Sequence, residues 1–260
     1  MHLNLFLHLI HIILLLHMKV THFFLSSGNR IINSLDVKVN SKWISYNLKN
    51  ANKLFKVREA INVDPFLDLA IENNLPEPFG IVSWNSSIFM SKILDEKCFG
   101  DSNYLKDRTV CDLGCGTGLG SFTSALLGAK DIISLDIDQL SLTLCDITFE
   151  RMKSDHFVNA KSTPTMVFKQ FDMNGSEALP FCDVLLMADV TYYKPLAMVA
   201  AARVFEAKTK YNANILITDC GRRSTTFFSA ELNRLLKNSG YSHPLDCNLT
   251  ETSEGSFLWL

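Results

Sequence analysis

The fold is decided by two neighbouring stretches: residues 110–120 read VCDLGCGTGLG, and residues 132–138 read IISLDID. The first is a short apolar strand followed by a turn that opens a helix. That turn contains Gly114, Gly116 and Gly118. Glycine adopts positive φ values and has no Cβ, so the backbone of such a turn can approach a ligand closely at the carboxyl end of a parallel strand. Asp136 closes the second run, where an acidic residue can accept hydrogen bonds from both hydroxyls of a ribose. Together the two stretches predict an α/β domain with a nucleoside-containing ligand.

The spacing of these residues indicates which ligand. Dinucleotide-binding folds carry the fingerprint G-x-G-x-x-G, whereas this chain has D-x-G-x-G-x-G, which begins at Asp112. That string, with Asp136 in register at the end of the following strand, resembles motif I of the class I, S-adenosylmethionine-dependent methyltransferases. The resemblance implies S-adenosyl-L-methionine as the cofactor. The alternative is a glycine-rich turn in some other α/β protein.

Length, charge and cysteine content narrow the class of protein. A chain of 260 residues fits one large α/β domain, or a domain with an extension. The hydrophobic content of 47% is normal for a globular core. A net charge of −2 gives no support for a polyanionic partner, so no nucleic acid is expected. Seven cysteines without a C-x-x-C pair favour buried, reduced thiols over a metal site or a disulfide framework, and no metal is expected.

The N-terminal segment differs from the rest of the chain. Residues 3–16 are almost wholly apolar, yet they are fewer than the roughly 20 residues that span a bilayer. Residues 1–56 contain seven Lys or Arg and one acid, Asp36, a composition that resembles an organelle transit peptide. Import into a mitochondrion or plastid is the favoured interpretation. A secretory signal, a membrane anchor through residues 3–16, and a helix packed on the domain are the alternatives.

The remaining chain alternates between predicted strands and helices. Strands are predicted at residues 109–113, 131–136, 166–171, 183–188 and 213–218, with two more near 241–249 and 255–260. Helices are predicted at residues 59–72, 86–94, 120–127, 139–152, 195–208 and 226–238. This alternation implies a parallel sheet. We therefore expect an α/β fold, a Rossmann-like seven-stranded class I methyltransferase sheet, mostly parallel with an antiparallel last strand. Residues 1–56 are expected to be an extension and residues 57–260 the methyltransferase domain.

Three further stretches suggest a narrower family. They are FGIVSWNSS at residues 79–87, DVLLMADVTYY at residues 183–193 and LITDCGRR at residues 216–223. With motif I they resemble methyltransferase family 16, the seven-β-strand protein-lysine methyltransferases, and within it the lysine methyltransferases of the electron-transfer flavoprotein β subunit. The resemblance covers roughly residues 75–230 and implies a protein substrate that offers a lysine side chain.

The resemblance also implies a role for individual residues. The cofactor-binding residues would be Trp84 at the methionine end, Asp112 with Gly114, Gly116 and Gly118 around the amino acid part, Asp136 at the ribose and Asp172 at the adenine amine. Asp189 and Tyr192 match the family's D-x-x-Y and would line the channel for the substrate lysine. Lysine has a solution pKa of about 10.4 and must lose a proton before methylation. An acid that orients the ammonium and an aromatic wall that favours its approach suit this chemistry.

Other functions share parts of this pattern. A small-molecule methyltransferase would have the same cofactor site and a more closed substrate pocket. Methyltransferases that act on amino groups of nucleic acids usually carry N-P-P-Y after the fourth strand, where this chain has A-D-V-T-Y. A cofactor-binding scaffold without activity would be expected to lose the motif I glycines or Asp136, and both are intact.

Overall fold

The computed structural model describes residues 34–158, 160, 162–220, 224–240 and 250–260. The chain divides after residue 31, and the described part belongs to the second unit, residues 32–260. The interpretations of residues 3–16 as a signal or an anchor, and the part of the predicted transit peptide before residue 34, lie outside the described residues. Within the described ranges, no helix combines the length and the apolarity that crossing a bilayer requires.

Strands and helices follow one another as the sequence pattern indicates. The strands are β1 (Ser41–Leu48), β2 (Lys53–Ala60), β3 (Thr109–Leu113), β4 (Asp131–Asp136), β5 (Thr165–Gln170), β6 (Val184–Ala188), β7 (Asn214–Asp219), β8 (Thr250–Glu251) and β9 (Ser256–Trp259). The helices are α1 (Ser34–Val39), α2 (Asp64–Asn73), α3 (Asn85–Gly100), α4 (Leu119–Leu126), α5 (Gln139–His156), α6 (Lys194–Tyr211) and α7 (Thr225–Asn238), with a short 3-10 turn at Phe79–Ile81. The strand predicted near residues 241–249 lies outside the described residues.

Seven of these strands form one sheet, in the order β5-β4-β3-β6-β7-β9-β8. The neighbours from β5 to β7 are parallel, whereas β9 is antiparallel to both β7 and β8. The prediction of a mostly parallel, Rossmann-like class I methyltransferase sheet is therefore confirmed. The chain winds outward in opposite directions from β3 and β6, so the carboxyl ends of these strands form the crevice in which open α/β sheets bind ligands.

Helices cover both faces of the sheet. Along β3 the side chains alternate, so that Val110 joins the core on the side of α3 and α4, while Cys111 joins the core on the side of α6 and α7. Both residues are fully buried. A strand that is buried on both faces has an almost continuous run of apolar residues. For this reason the apolar runs of the sequence predicted the bounds of β3 and β4.

The region before β3 differs from the prediction. A helix was expected at residues 59–72, but β2 extends to Ala60 and α2 begins only at Asp64. Pro65 stands in the first turn of α2, where proline favours helix initiation. Ile61, expected on the buried helix face, is 59% exposed in the connection between β2 and α2.

The predicted domain boundary at residue 56 needs correction, because it falls inside β2. β1 and β2 form an antiparallel hairpin in register from Ser41–Ala60 to Leu48–Lys53. Leu48, Phe55 and Val57 are buried in the core that includes α3 and α4. The hairpin turn donates the backbone N–H groups of Asn50 and Ala51 to the carboxylate of Asp95 in α3, at 2.8 and 2.9 Å.

The hairpin thus belongs to the domain, and its composition has a structural reason. In β2 the buried Phe55 and Val57 alternate with the exposed Lys56 and the half-buried Arg58. The abundance of basic residues, which suggested a transit peptide, is here the solvent side of a strand with a period of two.

Candidate active site

The turn after β3 requires its glycines. Gly114, Gly116 and Gly118 have φ values of 73°, 53° and 77°. The backbone N–H of Gly114 donates to the carbonyl oxygen of Leu135 in β4 at 2.8 Å, which fixes the turn to the neighbouring strand. A Cβ added at Gly114 would lie 2.6 Å from Val190 Cγ1. The turn therefore holds its backbone at the crevice in a conformation that only glycine adopts without strain.

Asp112 lies beneath this turn, at the end of β3, and is 2% exposed. Its Oδ2 accepts a hydrogen bond from the Ser121 hydroxyl at 2.7 Å, and Ser121 also contacts the hydroxyl of Ser134 at 2.8 Å. Burial raises the pKa of Asp112 to about 6, partly offset by the hydrogen bond from Ser121. A carboxylate that burial makes costly to ionise gains from a cationic ligand nearby.

Asp136 connects the glycine-rich turn to the start of α5. Its two carboxylate oxygens accept backbone N–H groups from Gly116 at 2.8 Å and from Asp138 at 2.9 Å. Burial raises the pKa of Asp136, while the backbone donors lower it. Each carboxylate oxygen has a second lone-pair direction, so both can accept a further hydrogen bond.

A third buried acid, Asp138, was not among the predicted site residues. It caps α5, where its side chain accepts the backbone N–H of Leu140 at 2.9 Å and the hydroxyl of Ser141. Burial, followed by the negative charge of Asp136, raises the pKa of Asp138 to about 7. The sequence contained the signal, since an aspartate directly before a helix is a preferred N-cap.

A pocket opens between the glycine-rich turn and the start of α3. Its lining includes Trp84, Asp112, Gly114, Gly116, Thr117 and Ala188. The structure thus brings four of the predicted cofactor residues to one cavity. The indole N–H of Trp84 donates to the carbonyl oxygen of Phe79 at 2.9 Å, which sets the orientation of the ring.

Asp172 follows β5 on the same edge of the sheet. The backbone N–H of the preceding Phe171 donates to the carbonyl oxygen of Asp136 at 2.8 Å, so the two predicted residues lie on adjacent segments. Asp172 is exposed, and its Oδ1 accepts the backbone N–H of Asn174 at 2.8 Å. The structure therefore places Asp172 beside Asp136, and both residues lie outside the lining of the pocket.

The backbone of the loop that begins with Asp172 is hydrogen-bonded to a buried arginine of α6. Arg203 donates from Nε to the carbonyl oxygen of Met173 at 2.9 Å, from Nη1 to that of Glu177 at 2.8 Å, and from Nη2 to that of Gly175 at 2.7 Å. Arg203 is only 8% exposed. The loop therefore has a fixed path although most of its own side chains face solvent.

Asp189 and Tyr192 lie on the segment between β6 and α6. Asp189 has a φ of 59°, uncommon for a residue other than glycine, and its backbone N–H donates to the carbonyl oxygen of Thr218 at 3.0 Å. Tyr192 is 43% exposed, and its ring centroid lies 6.3 Å from that of Phe79. Neither residue lines the pocket, but Ala188, the neighbour of Asp189, does.

A chain of polar side chains links the β1–β2 hairpin to this pocket. Glu59 in β2 accepts hydrogen bonds from the Tyr46 hydroxyl, from the Ser83 hydroxyl at 2.7 Å and from the Ser83 backbone N–H at 3.3 Å. The Ser83 hydroxyl in turn contacts the Thr117 hydroxyl at 2.7 Å. The sequence did not indicate this chain, because its members are 24 and 34 residues apart and share no local pattern.

The glycine-rich turn lies in the part of the chain that is similar to known proteins. Residues 94–173 match the family model described as ribosomal protein L11 methyltransferase (PrmA). A ribosomal protein L11 methyltransferase of Thermotoga petrophila is 31% identical over 88 residues, which cover 34% of this chain and 33% of the relative. Another, from Ruminiclostridium cellulolyticum, is 26% identical over 131 residues, 48% of this chain and 39% of the relative. The matched residues 94–173 contain the glycine-rich turn and Asp136, so these matches support the predicted class, a methyltransferase domain.

Among solved structures, a magnesium protoporphyrin IX methyltransferase of Synechocystis, with bound SAH, is similar with a TM-score of 0.46 and 16% identity. The match covers 67% of this chain and 82% of that one. The chain spans about a third of the length of the Thermotoga petrophila and Ruminiclostridium cellulolyticum relatives.

The narrower resemblance to methyltransferase family 16 was wrong, because the family model and the curated relatives are of the ribosomal protein L11 type. The D-x-x-Y that begins at Asp189 and the segment around Trp84 suggested family 16, and both lie outside the matched residues 94–173. Motif I, which lies inside the match, is common to the whole superfamily and does not distinguish its families.

Proposed function

We propose that this chain is an S-adenosylmethionine-dependent methyltransferase that methylates a lysine side chain of a protein. The observation that carries the proposal is the hydrogen bond from Gly116 N to Asp136 Oδ2, which joins the glycine-rich turn to the acid at the end of β4. This joint lies at the carboxyl ends of adjacent parallel strands, where doubly wound sheets bind nucleosides.

The residues present fit the cofactor. When bound, S-adenosylmethionine supplies a methyl group on a sulfonium. Asp136 would hold the ribose hydroxyls through the lone pairs that its two backbone donors leave, and Asp172 would lie at the adenine. Trp84 and Asp112, which line the pocket between the glycine-rich turn and α3, would surround the methionine end. The three glycines of the turn hold positive φ values and carry no Cβ, so the backbone of the turn can approach the cofactor closely.

The proposed substrate-binding residues are Asp189 and Tyr192. A backbone in the left-handed region costs a non-glycine residue free energy, and such strain is concentrated at functional positions. The carboxylate of Asp189 would attract and orient a lysine ammonium before it loses its proton, and the exposed ring of Tyr192 would form one wall of the approach. Methyl transfer then needs the free amine in line with the sulfonium, which is a matter of positioning.

The relatives support a protein as the substrate, since they are named for ribosomal protein L11. Import into a mitochondrion or plastid is a further part of the proposal, and it rests on residues 1–33, which are apolar at 3–16, carry Lys19 and Arg30 and contain no acid. A fluorescent protein fused to residues 1–33 should enter an organelle, and cytosolic fluorescence would contradict this part alone.

The cofactor assignment is tested with Asp136→Ala. We expect the affinity for S-adenosylmethionine to fall at least tenfold, about 1.4 kcal/mol, as expected when a hydrogen bond to a charged group is lost. Asp131→Ala is the matched control, because Asp131 begins the same strand at its opposite end. Isothermal titration calorimetry on both folded variants gives the comparison, and equal affinities would refute the role of Asp136.

The substrate class is tested by methyl transfer from radiolabelled S-adenosylmethionine to proteins of an organelle extract, followed by mass spectrometry of the labelled band. A methyllysine in a protein is the expected product. Label found only in small molecules would show that the acceptor is not a protein, while the cofactor assignment would stand.

A further inference from the structure

In the series of hydrogen bonds that runs from the β1–β2 hairpin to the pocket, each bond has a defined donor and acceptor. Glu59 is 8% exposed, and the three groups that reach its carboxylate are the Tyr46 hydroxyl, the Ser83 hydroxyl and the Ser83 backbone N–H. A backbone N–H is always a donor, and an ionised carboxylate only accepts. Glu59 therefore fixes the hydroxyl hydrogen of Ser83 toward itself.

This orientation determines what Thr117 presents to the pocket. Because the hydrogen of Ser83 points to Glu59, the 2.7 Å contact between Ser83 Oγ and Thr117 Oγ1 needs the hydrogen of Thr117. A hydroxyl has a single hydrogen and two lone pairs. Thr117, which is 2% exposed and lines the pocket, is left with lone pairs alone for a ligand.

We infer that Thr117 Oγ1 accepts a hydrogen bond from the α-ammonium of the cofactor, and that Glu59 is a positioning residue that sets this polarity through Ser83. The inference rests on the proposed function, since it assigns one contact within the proposed cofactor site. An ammonium is a pure donor, whereas a carboxylate at the same place would face the lone pairs of Thr117. Asp112 lines the same pocket and adds negative charge, so a cationic group is complementary to it.

The variant Glu59→Gln provides a sharp test because the site constrains how the amide can lie. The Ser83 backbone N–H contacts Oε2 and needs an acceptor there, so the amide oxygen takes that position. The amide NH₂ then takes the position of Oε1, where its two hydrogens face the hydroxyl oxygens of Tyr46 and Ser83 and are donated to them. The chain is thereby reversed, and Thr117 presents a hydrogen to the pocket.

The experiment measures the affinity of the full chain for two ligands by isothermal titration calorimetry. One is S-adenosylhomocysteine, and the other is the same compound with a hydrogen in place of the α-ammonium. The native chain should bind the first at least about tenfold more tightly, as expected for a hydrogen bond to a charged group. Both Glu59→Gln and Thr117→Val should reduce this preference to about threefold or less, with the affinity for the deaminated ligand little changed.

Two controls separate this role from a merely structural one. Thr117→Ser keeps the hydroxyl and should retain the preference. Tyr46→Phe removes a different donor from the same carboxylate, leaves the Ser83–Thr117 contact in place, and should also retain it.

The outcomes distinguish this inference from the proposed function. If Thr117→Val folds and keeps the native preference for the ammonium, the inference is overturned while the cofactor site stands. If the native chain binds neither ligand, the proposed function fails and the inference fails with it. Should Glu59→Gln not fold, the pair Thr117→Val and Thr117→Ser decides alone.

Discussion

Substitution of Gly118 by alanine tests the packing of the glycine-rich turn. Gly118 is the N-cap of α4 with a φ of 77°, a conformation that costs an L-residue roughly 1–2 kcal/mol. The added Cβ would lie 2.8 Å from Phe122 Cε2 and 2.9 Å from Cys145 Sγ. Both side chains are fully buried, so the core must shift, and overpacking of this kind costs about 1–3 kcal/mol.

Together these costs predict that Gly118→Ala lowers the free energy of unfolding by about 3 kcal/mol. For a domain of this size, that corresponds to a decrease in Tm of roughly 6–12 °C. Two other glycines provide matched controls for the same chemical change. Gly240 has a φ of 70°, and among the residues that the structure describes no atom lies within 4 Å of an added Cβ, so Gly240→Ala measures the backbone cost alone, about 1 kcal/mol. Gly100, the last residue of α3, has neither feature, and Gly100→Ala should lie within about 1 kcal/mol of the native chain.

Urea denaturation followed by circular dichroism gives the three free energies on one scale. The expected order of destabilisation is Gly118→Ala, then Gly240→Ala, then Gly100→Ala. If Gly118→Ala is no less stable than Gly240→Ala, the close packing against Phe122 and Cys145 contributes nothing, and the reasoning about the turn is refuted.

Three further predictions concern the substrate segment, the buried acids and the hairpin. Asp189→Asn keeps the side-chain shape and tolerates the left-handed backbone. Cofactor affinity should therefore stay within about twofold, while turnover should fall about a hundredfold, which corresponds to about 2.7 kcal/mol. Near-native turnover in a methyl-transfer assay would remove Asp189 from the mechanism. Because the folded pKa of Asp138 is raised to about 7, the stability it contributes is present below about pH 4 and is lost as the pH rises through 7. Urea unfolding at pH 5 and pH 8 should therefore show the native chain losing at least about 1.4 kcal/mol relative to Asp138→Asn, and a constant difference would contradict the raised pKa. A chain that begins at residue 57 lacks β1 and the buried side chains of Leu48 and Phe55, whose burial contributes about 1.5–3 kcal/mol each to stability. This chain should aggregate, whereas one that begins at residue 32 should bind S-adenosylmethionine. A soluble, cofactor-binding chain from residue 57 would show that the hairpin is dispensable.

The sequence predicted those features that depend on neighbouring residues. The bounds of β3 and β4 follow from short apolar runs, and the position of Asp136 follows from the end of one of them. The positive φ values after β3 follow from the presence of glycine at three alternate positions. In each case the deciding interaction is local, or it is between strands that every open α/β sheet brings together.

Features that depend on distant pairing were missed. The hairpin of β1 and β2 is stabilised by contacts with α3, such as Asn50 N to Asp95, which are 45 residues apart. Its basic residues resembled a transit peptide because composition records how many charges are present but not which side of a strand they occupy. The link from Glu59 through Ser83 to Thr117 joins three separate segments, and no spacing in the sequence could indicate it.

The loop held by Arg203 has a consequence for how freely its sequence can diverge. The guanidinium contacts the carbonyl oxygens of Met173, Gly175 and Glu177, and every amino acid carries a carbonyl oxygen. The side chains of this loop can therefore change while its path stays the same. Arg203 itself has no equivalent substitute, because lysine donates from a single nitrogen and cannot reach three carbonyls that diverge around a planar fork. The freedom of the loop sequence and the requirement for arginine at one helix position 26 to 30 residues away are two results of the same contact.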